Sequence, residues 1–197
     1  MRERAFSADH DEGVRSARIF IQAHQDEGVQ CCIKHFPGHG STMLDSHNDM
    51  CDITQTHTHD ELRMFRSLID SFGDSIAVMP GHLMDRNIDP QLPASLSPAH
   101  LDGVLRGTLG FDGPIISDSL DMRAIRDHFG EGESAVLALA AGCDIVLDGI
   151  NAPGYRESLA PIRMVNAISN AVGSGRLSDG EAHLTASKVR LDRLFSR

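Results

Sequence analysis

The chain lacks the features that mark several large classes of protein. Its four cysteines are Cys31, Cys32, Cys51 and Cys143, and they form no Cys-x-x-Cys pair. That absence removes support for zinc ribbons and thioredoxin-like redox sites. Reduced thiols in a cytosolic protein are the simplest account. No run of ~18 apolar residues occurs, so no membrane span is expected. The opening Met1-Arg2-Glu3-Arg4 lacks the apolar core of a signal peptide, which makes the cytoplasm the expected compartment. Basic residues form no dense block and the net charge is −10, so a nucleic-acid binder that works by neutralising phosphates is not expected. The acidity reads as solubility. Histidines 35, 39, 47, 57, 59 and 82 are potential zinc ligands, but no His-Glu-x-x-His helix is present, and no metal is expected.

What is there suits a packed enzyme-like domain. Hydrophobic residues make up 41% of the 197 positions. The length supports one core but falls short of the ~250 residues of a full (β/α)8 barrel. Ser7 or Asp9 is placed to cap a helix over about 13–27, with Val14, Ala17, Ile19, Ile21 and Ala23 on its apolar face and Gly28 ending it. Strands are expected at 28–35, 75–79, 114–117 and 143–147. Between and after them helices are expected over 61–71, capped by Asp60, and then over 98–109, 122–128, 132–141, 162–172 and 178–195. The span 87–98 holds three prolines and should be irregular. Beyond this strand–helix alternation there is no short repeat. The alternation predicts an α/β fold with a parallel sheet.

One stretch stands out. Lys34-His35-Phe36-Pro37-Gly38-His39-Gly40 follows the apolar strand, and Asp45-Ser46-His47 comes soon after. Charged and imidazole groups thus collect where a strand gives way to a Gly/Pro loop, the usual place for chemistry in parallel α/β proteins. The polar span from Gly38 to about Asp60 is long for a connector, and long loops are often functional. From spacing alone Asp118, at the end of the third strand, reads more readily as a helix cap than as a reactive carboxylate.

These residues carry a resemblance. Lys34 to Gly40 with Asp45-Ser46-His47 is similar to the signature of glycoside hydrolase family 3, in its β-N-acetylglucosaminidase branch. Gly110-Phe111-Asp112-Gly113-Pro114-Ile115-Ile116-Ser117-Asp118-Ser119-Leu120-Asp121-Met122 resembles the family's nucleophile segment, and Met79-Pro80-Gly81-His82 resembles a strand end lying between the two. The likeness covers nearly the whole chain. It implies an α/β fold that is part of a (β/α)8 TIM barrel, namely its later strands and helices, so that residues 1–197 are one catalytic domain without the first part of the barrel. A truncated piece is the expected state. A homo-oligomer covering the open sheet edge is the alternative.

The resemblance also implies roles. Asp118 is the expected nucleophile, with Asp121 as the rival carboxylate that is not chosen. His47 is the expected general acid/base and Asp45 the residue that orients it. Histidine suits that task because it both gives and takes a proton near neutrality. Arg4, Lys34 and His35 are expected to hydrogen-bond sugar hydroxyls. His39 and Asp112 are expected to stabilise loops, and His82 to line or support the cleft. The expected activity is retaining hydrolysis of terminal β-linked N-acetylglucosamine from small glycosides or peptidoglycan fragments, with no cofactor. A catalytically inactive remnant that binds sugar or a partner is the alternative, and a phosphorylase is a third reading.

Overall fold

The computed structural model describes residues 5–40, 42, 50–149, 159–177 and 180–196. Helix α1 (His10–Asp26) starts where the Asp9 side chain accepts the Glu12 N–H, as a capping aspartate does. Its buried face is the narrow stripe Gly13, Val14, Ala17 and Ile21. Ile19 and Ala23 fall outside that stripe and are exposed, which corrects the broader face expected from composition. The spacing of 14, 17 and 21 is what a single helical face permits.

Strand β1 (Cys32–Phe36) runs parallel to β3 (Ala77–Pro80), with Cys32 opposite Ala77 and Lys34 opposite Met79. Extended segments extend this sheet by single bridges, Val78 to Ile115 and Ile116 to Ile145. The third and fourth expected strands are therefore present as bridged segments rather than full strands, in the order β1, β3, 115–116, 145. A second parallel pair, β2 (Cys51–Asp52) with β4 (Leu83–Met84), was not anticipated. Two residues on each side give too little periodicity to read from sequence.

Helix α2 (His59–Phe72) begins at Thr58, not at Asp60. Glu61 takes the Thr58 N–H at 3.2 Å, so the Thr-x-x-Glu spacing sets the start. After β4 a π-type helix spans Ala99–Thr108. It is followed by α3 (Arg123–Phe129), α4 (Glu131–Ala140), α5 (Ala160–Gly173) and α6 (Gly180–Phe195). The main core lies between one face of the sheet and the helices, and includes Ile21, Phe65, Val78, Leu105, Ile115 and Ile125.

The proline-rich return before the π-type helix is held by side chains. Asp89 accepts the N–H groups of Gln91 and Leu92 and the Ser97 hydroxyl. Because Ser97 Oγ gives its proton to Asp89, it accepts from His100 Nδ1 at 3.0 Å. His100 is fully buried, and its Nε2 has no hydrogen-bond partner among the described residues. Burial pushes the ring down to about 4, with Asp85 and Asp89 opposing and His57 adding to the effect. The unfolded chain takes a proton on this ring below about 6.5, whereas the folded one resists until about 4. The contribution is therefore complete above pH 6.5 and is lost as pH falls toward 4, by about 3 kcal/mol in full. His100→Phe should flatten the fall in unfolding free energy between pH 7 and pH 4.5 in urea titrations. An unchanged slope would exclude His100 as the source.

Candidate active site

At the C-terminal end of β1 the chain turns sharply. The Lys34–His35 and Phe36–Pro37 peptide bonds are cis. Gly38 has φ +151°, and a Cβ there would stand 2.5 Å from Glu61 Cβ. Only glycine allows that approach. The approach in turn lets the Glu61 carboxylate accept the Gly40 N–H at 2.8 Å. His57 Nε2 reaches the Pro37 carbonyl at 3.3 Å. The turn after β1 is thus fastened to the N-terminal end of α2 at two points.

Asp118 follows segment 114–117 at the same end of the sheet. Its side chain is mostly buried but keeps 15% exposure. One oxygen accepts the Ser119 N–H at 2.8 Å, and the other stands 3.7 Å from His35 Nε2. His35 is buried and Lys34 is exposed. Cys32, two residues before Lys34 on β1, feels the charges of both Lys34 and Asp118. The structure therefore brings Lys34, His35 and Asp118 to one end of the sheet. Arg4, Asp45 and His47 lie outside the described residues.

The Asp118 loop is fixed from beneath. His82 is fully buried. Its Nε2 is 2.9 Å from the Ser119 carbonyl and its Nδ1 is 2.7 Å from Ser95 Oγ. A carbonyl only accepts, so the Nε2 proton points to Ser119 and Nδ1 accepts from the Ser95 hydroxyl. The Ser119 hydroxyl donates to Asp121 and accepts the Gly149 N–H. Asp121 is buried on this brace and works as an anchor of the loop. His82→Ala leaves the Ser119 carbonyl without this donor. It should lower stability by about 1–3 kcal/mol, measurable by thermal or urea unfolding. A loss below a few tenths would show that water replaces the ring.

His39 and Asp112 serve loops. His39 Nδ1 meets Thr42 Oγ1 at 2.7 Å, and its ring stands edge-on to His35 at 5.7 Å. Asp112 faces Arg190 and Arg193 of α6. Sequence reading missed the fastening by Glu61 and His57. The Thr58-x-x-Glu61 spacing was the one local signal for the former. Among the described residues no group of three His, Cys, Asp or Glu is arranged to hold a metal. A cavity of about 490 Å³ borders Lys34, His35 and His39 on the β1 side and continues among Phe6, Phe20 and Met64.

This arrangement offers a partly open carboxylate beside a buried imidazole, with an exposed ammonium group next to that imidazole on β1. Comparison with known proteins agrees with its setting. The profile of the glycosyl hydrolase family 3 N-terminal domain matches residues 1–194. A β-hexosaminidase from Idiomarina loihiensis is 41% identical over 149 residues, covering 74% of this chain and 44% of that protein. One from Tolumonas auensis is 39% identical over 155 residues, covering 77% of this chain and 46% of that protein. The chain thus spans less than half the length of these relatives. The solved glycoside hydrolase family 3 β-N-acetylglucosaminidase from Paenibacillus sp. strain FPU-7 superposes with TM-score 0.82 and 36% identity, over 93% of this chain and 34% of that one. A match along almost the full length, together with identities near 40%, assigns the chain to glycosyl hydrolase family 3, by way of its N-terminal domain.

Proposed function

We propose that this chain is a later portion of a family 3 barrel and that it serves a retaining β-N-acetylhexosaminidase. The barrel reading is supported by the parallel order β1, β3, 115–116, 145 with intervening helices, and by the fit to a larger solved relative. The observation that carries the function is the Asp118 carboxylate, partly open at the C-terminal end of the sheet and 3.7 Å from His35.

In this reading Asp118 attacks the anomeric carbon of a terminal β-linked N-acetylglucosamine. The glycosidic C–O bond breaks, and the leaving oxygen takes a proton from His47, which Asp45 orients. Water then attacks the glycosyl–Asp118 ester, returns its proton to His47 and frees the carboxylate. Lys34, His35 and Arg4 hold sugar hydroxyls. The substrates are small glycosides, including fragments of peptidoglycan, and the reaction takes no cofactor.

The test is release of p-nitrophenol from p-nitrophenyl N-acetyl-β-glucosaminide by the purified chain. Turnover supports the reading. A second reading is a sugar-binding remnant without catalysis, for which the cavity beside β1, bordered by Lys34 and His35, supplies a place to bind. A folded chain that binds N-acetylglucosamine in calorimetry but releases no p-nitrophenol would replace the first reading by the second.

A further inference from the structure

His57 sits between two groups that only accept. Its Nδ1 is 3.3 Å from Asp85 Oδ2, and its Nε2 is 3.3 Å from the Pro37 carbonyl. Both the imidazole and the carboxylate are nearly buried, at 11% and 6% exposure. The other Asp85 oxygen takes the Asn87 N–H, so the carboxylate is fixed and cannot turn away. The His57 backbone is fixed as well, through its N–H to the Ile53 carbonyl at 2.8 Å.

A neutral imidazole has one N–H. Between a carboxylate and a carbonyl it satisfies one acceptor and sets a lone pair against the other. The ring thus bridges a fixed carboxylate and the carbonyl of the turn. Pro37 lies in the turn whose near side carries Lys34 and His35 and whose far side leads into Asp45 and His47. Glu61 holds the same turn at Gly40.

We propose that His57 is a positioning residue of the active site. Held beside Asp85 at Nδ1, it latches the Pro37 carbonyl through Nε2 and sets the course of the turn that carries Lys34 and His35. This rests on the glycosidase reading for its catalytic consequence but not for the latch itself. The charged or ionisable groups on this assembly are Asp85 beside the ring, His100 near both, and Glu61 and His39 on the turn. Of these, Asp85 alone contacts His57 directly.

The experiment compares the whole chain with its variants by nuclear magnetic resonance at one pH, following the amide signals of Gly38 and Gly40. Both should shift in His57→Phe and, by less, in Asp85→Asn, while the rest of the spectrum keeps the parent's positions. In His57→Gln, which keeps a donor for Pro37, they should return toward the parent's positions. Glycine amides that keep the parent's positions in His57→Phe, or that shift equally in the Phe and Gln variants, would overturn the latch. In parallel, His57→Phe should reduce kcat on the nitrophenyl glycoside at least tenfold, with His57→Gln, which retains a donor for Pro37, recovering part of it. Equal losses in Phe and Gln variants would likewise count against the latch. If the parent chain shows no turnover, the glycosidase reading fails and the resonance result still decides the latch.

Discussion

Asp144→Ala should cost about 3–5 kcal/mol of stability, the range for removing one partner of a buried ion pair. Asp144 is fully buried as a side chain. One oxygen accepts from Arg106 at 3.1 Å and from the Ile115 N–H at 2.8 Å. The other accepts from Arg190 at 3.0 Å and from Ser187 Oγ at 2.6 Å. Four donors from the π-type helix, segment 114–117 and α6 thus converge on one carboxylate. Burial and the nearby Arg190 guanidinium push Arg106 below its ordinary range, with Asp144 the main opposing charge. Without Asp144 the two guanidinium groups face each other with less compensation. Arg106 keeps its bonds to the Phe111 and Gly113 carbonyls, but those bonds then hold an unpaired cation. Asp144→Asn keeps the shape and one acceptor, so it should lose less than alanine yet still more than 1 kcal/mol, because its amide cannot neutralise either cation. Urea unfolding of the parent and both variants at pH 7 measures this. A loss below about 1 kcal/mol for alanine would mean that water enters and carries the charge.

Asp144 also marks the limit of what the sequence discloses. It stands in Cys143-Asp144-Ile145, where it looks like an ordinary residue of a short strand. Its partners lie 29 to 46 positions away, and no local period encodes them. His57 and His82 are hidden for the same reason, since each acts on a turn 20 to 37 residues distant. The helices were legible because their signals are local. Asp9 and Gly28 bracket α1, and the spacing 14, 17, 21 gives its buried face. The overreach to Ile19 and Ala23 came from counting apolar residues without holding them to one face. The strands at 114–117 and 143–147 were legible as apolar runs, but their pairing reduces to single bridges, because register depends on neighbours that the run itself does not name. In the site, the likeness to a family drew attention to Lys34, His35 and Asp118. The structure adds that His35 and Asp118 approach each other, and that Asp121, the carboxylate passed over, is buried against Ser119.

Asp118→Ala should reduce turnover of the nitrophenyl glycoside by at least about 10³-fold, roughly 4 kcal/mol of transition-state stabilisation. Among the described residues of the site, it is the carboxylate that combines residual exposure with a position beside His35. If it forms the glycosyl ester, its removal abolishes the first step rather than weakening binding, so kcat should fall while KM changes little. The fold should survive, since the braces on this loop run through Ser119 and His82 and not through the Asp118 side chain. The Asp118 contact to the Ser119 N–H lies at a partly open position, where water can replace it. A second arm separates a nucleophile from a residue that only shapes the site. Azide enters the space left by the deleted carboxylate, attacks the anomeric carbon from the same face and gives a glycosyl azide. Azide should therefore restore turnover in Asp118→Ala and leave the parent unaffected. If the alanine variant keeps more than a tenth of the parent rate, Asp118 is not the nucleophile. A carboxylate elsewhere must then carry the first step, and Asp121 is poorly placed for it, since Ser119 already holds it inside the loop.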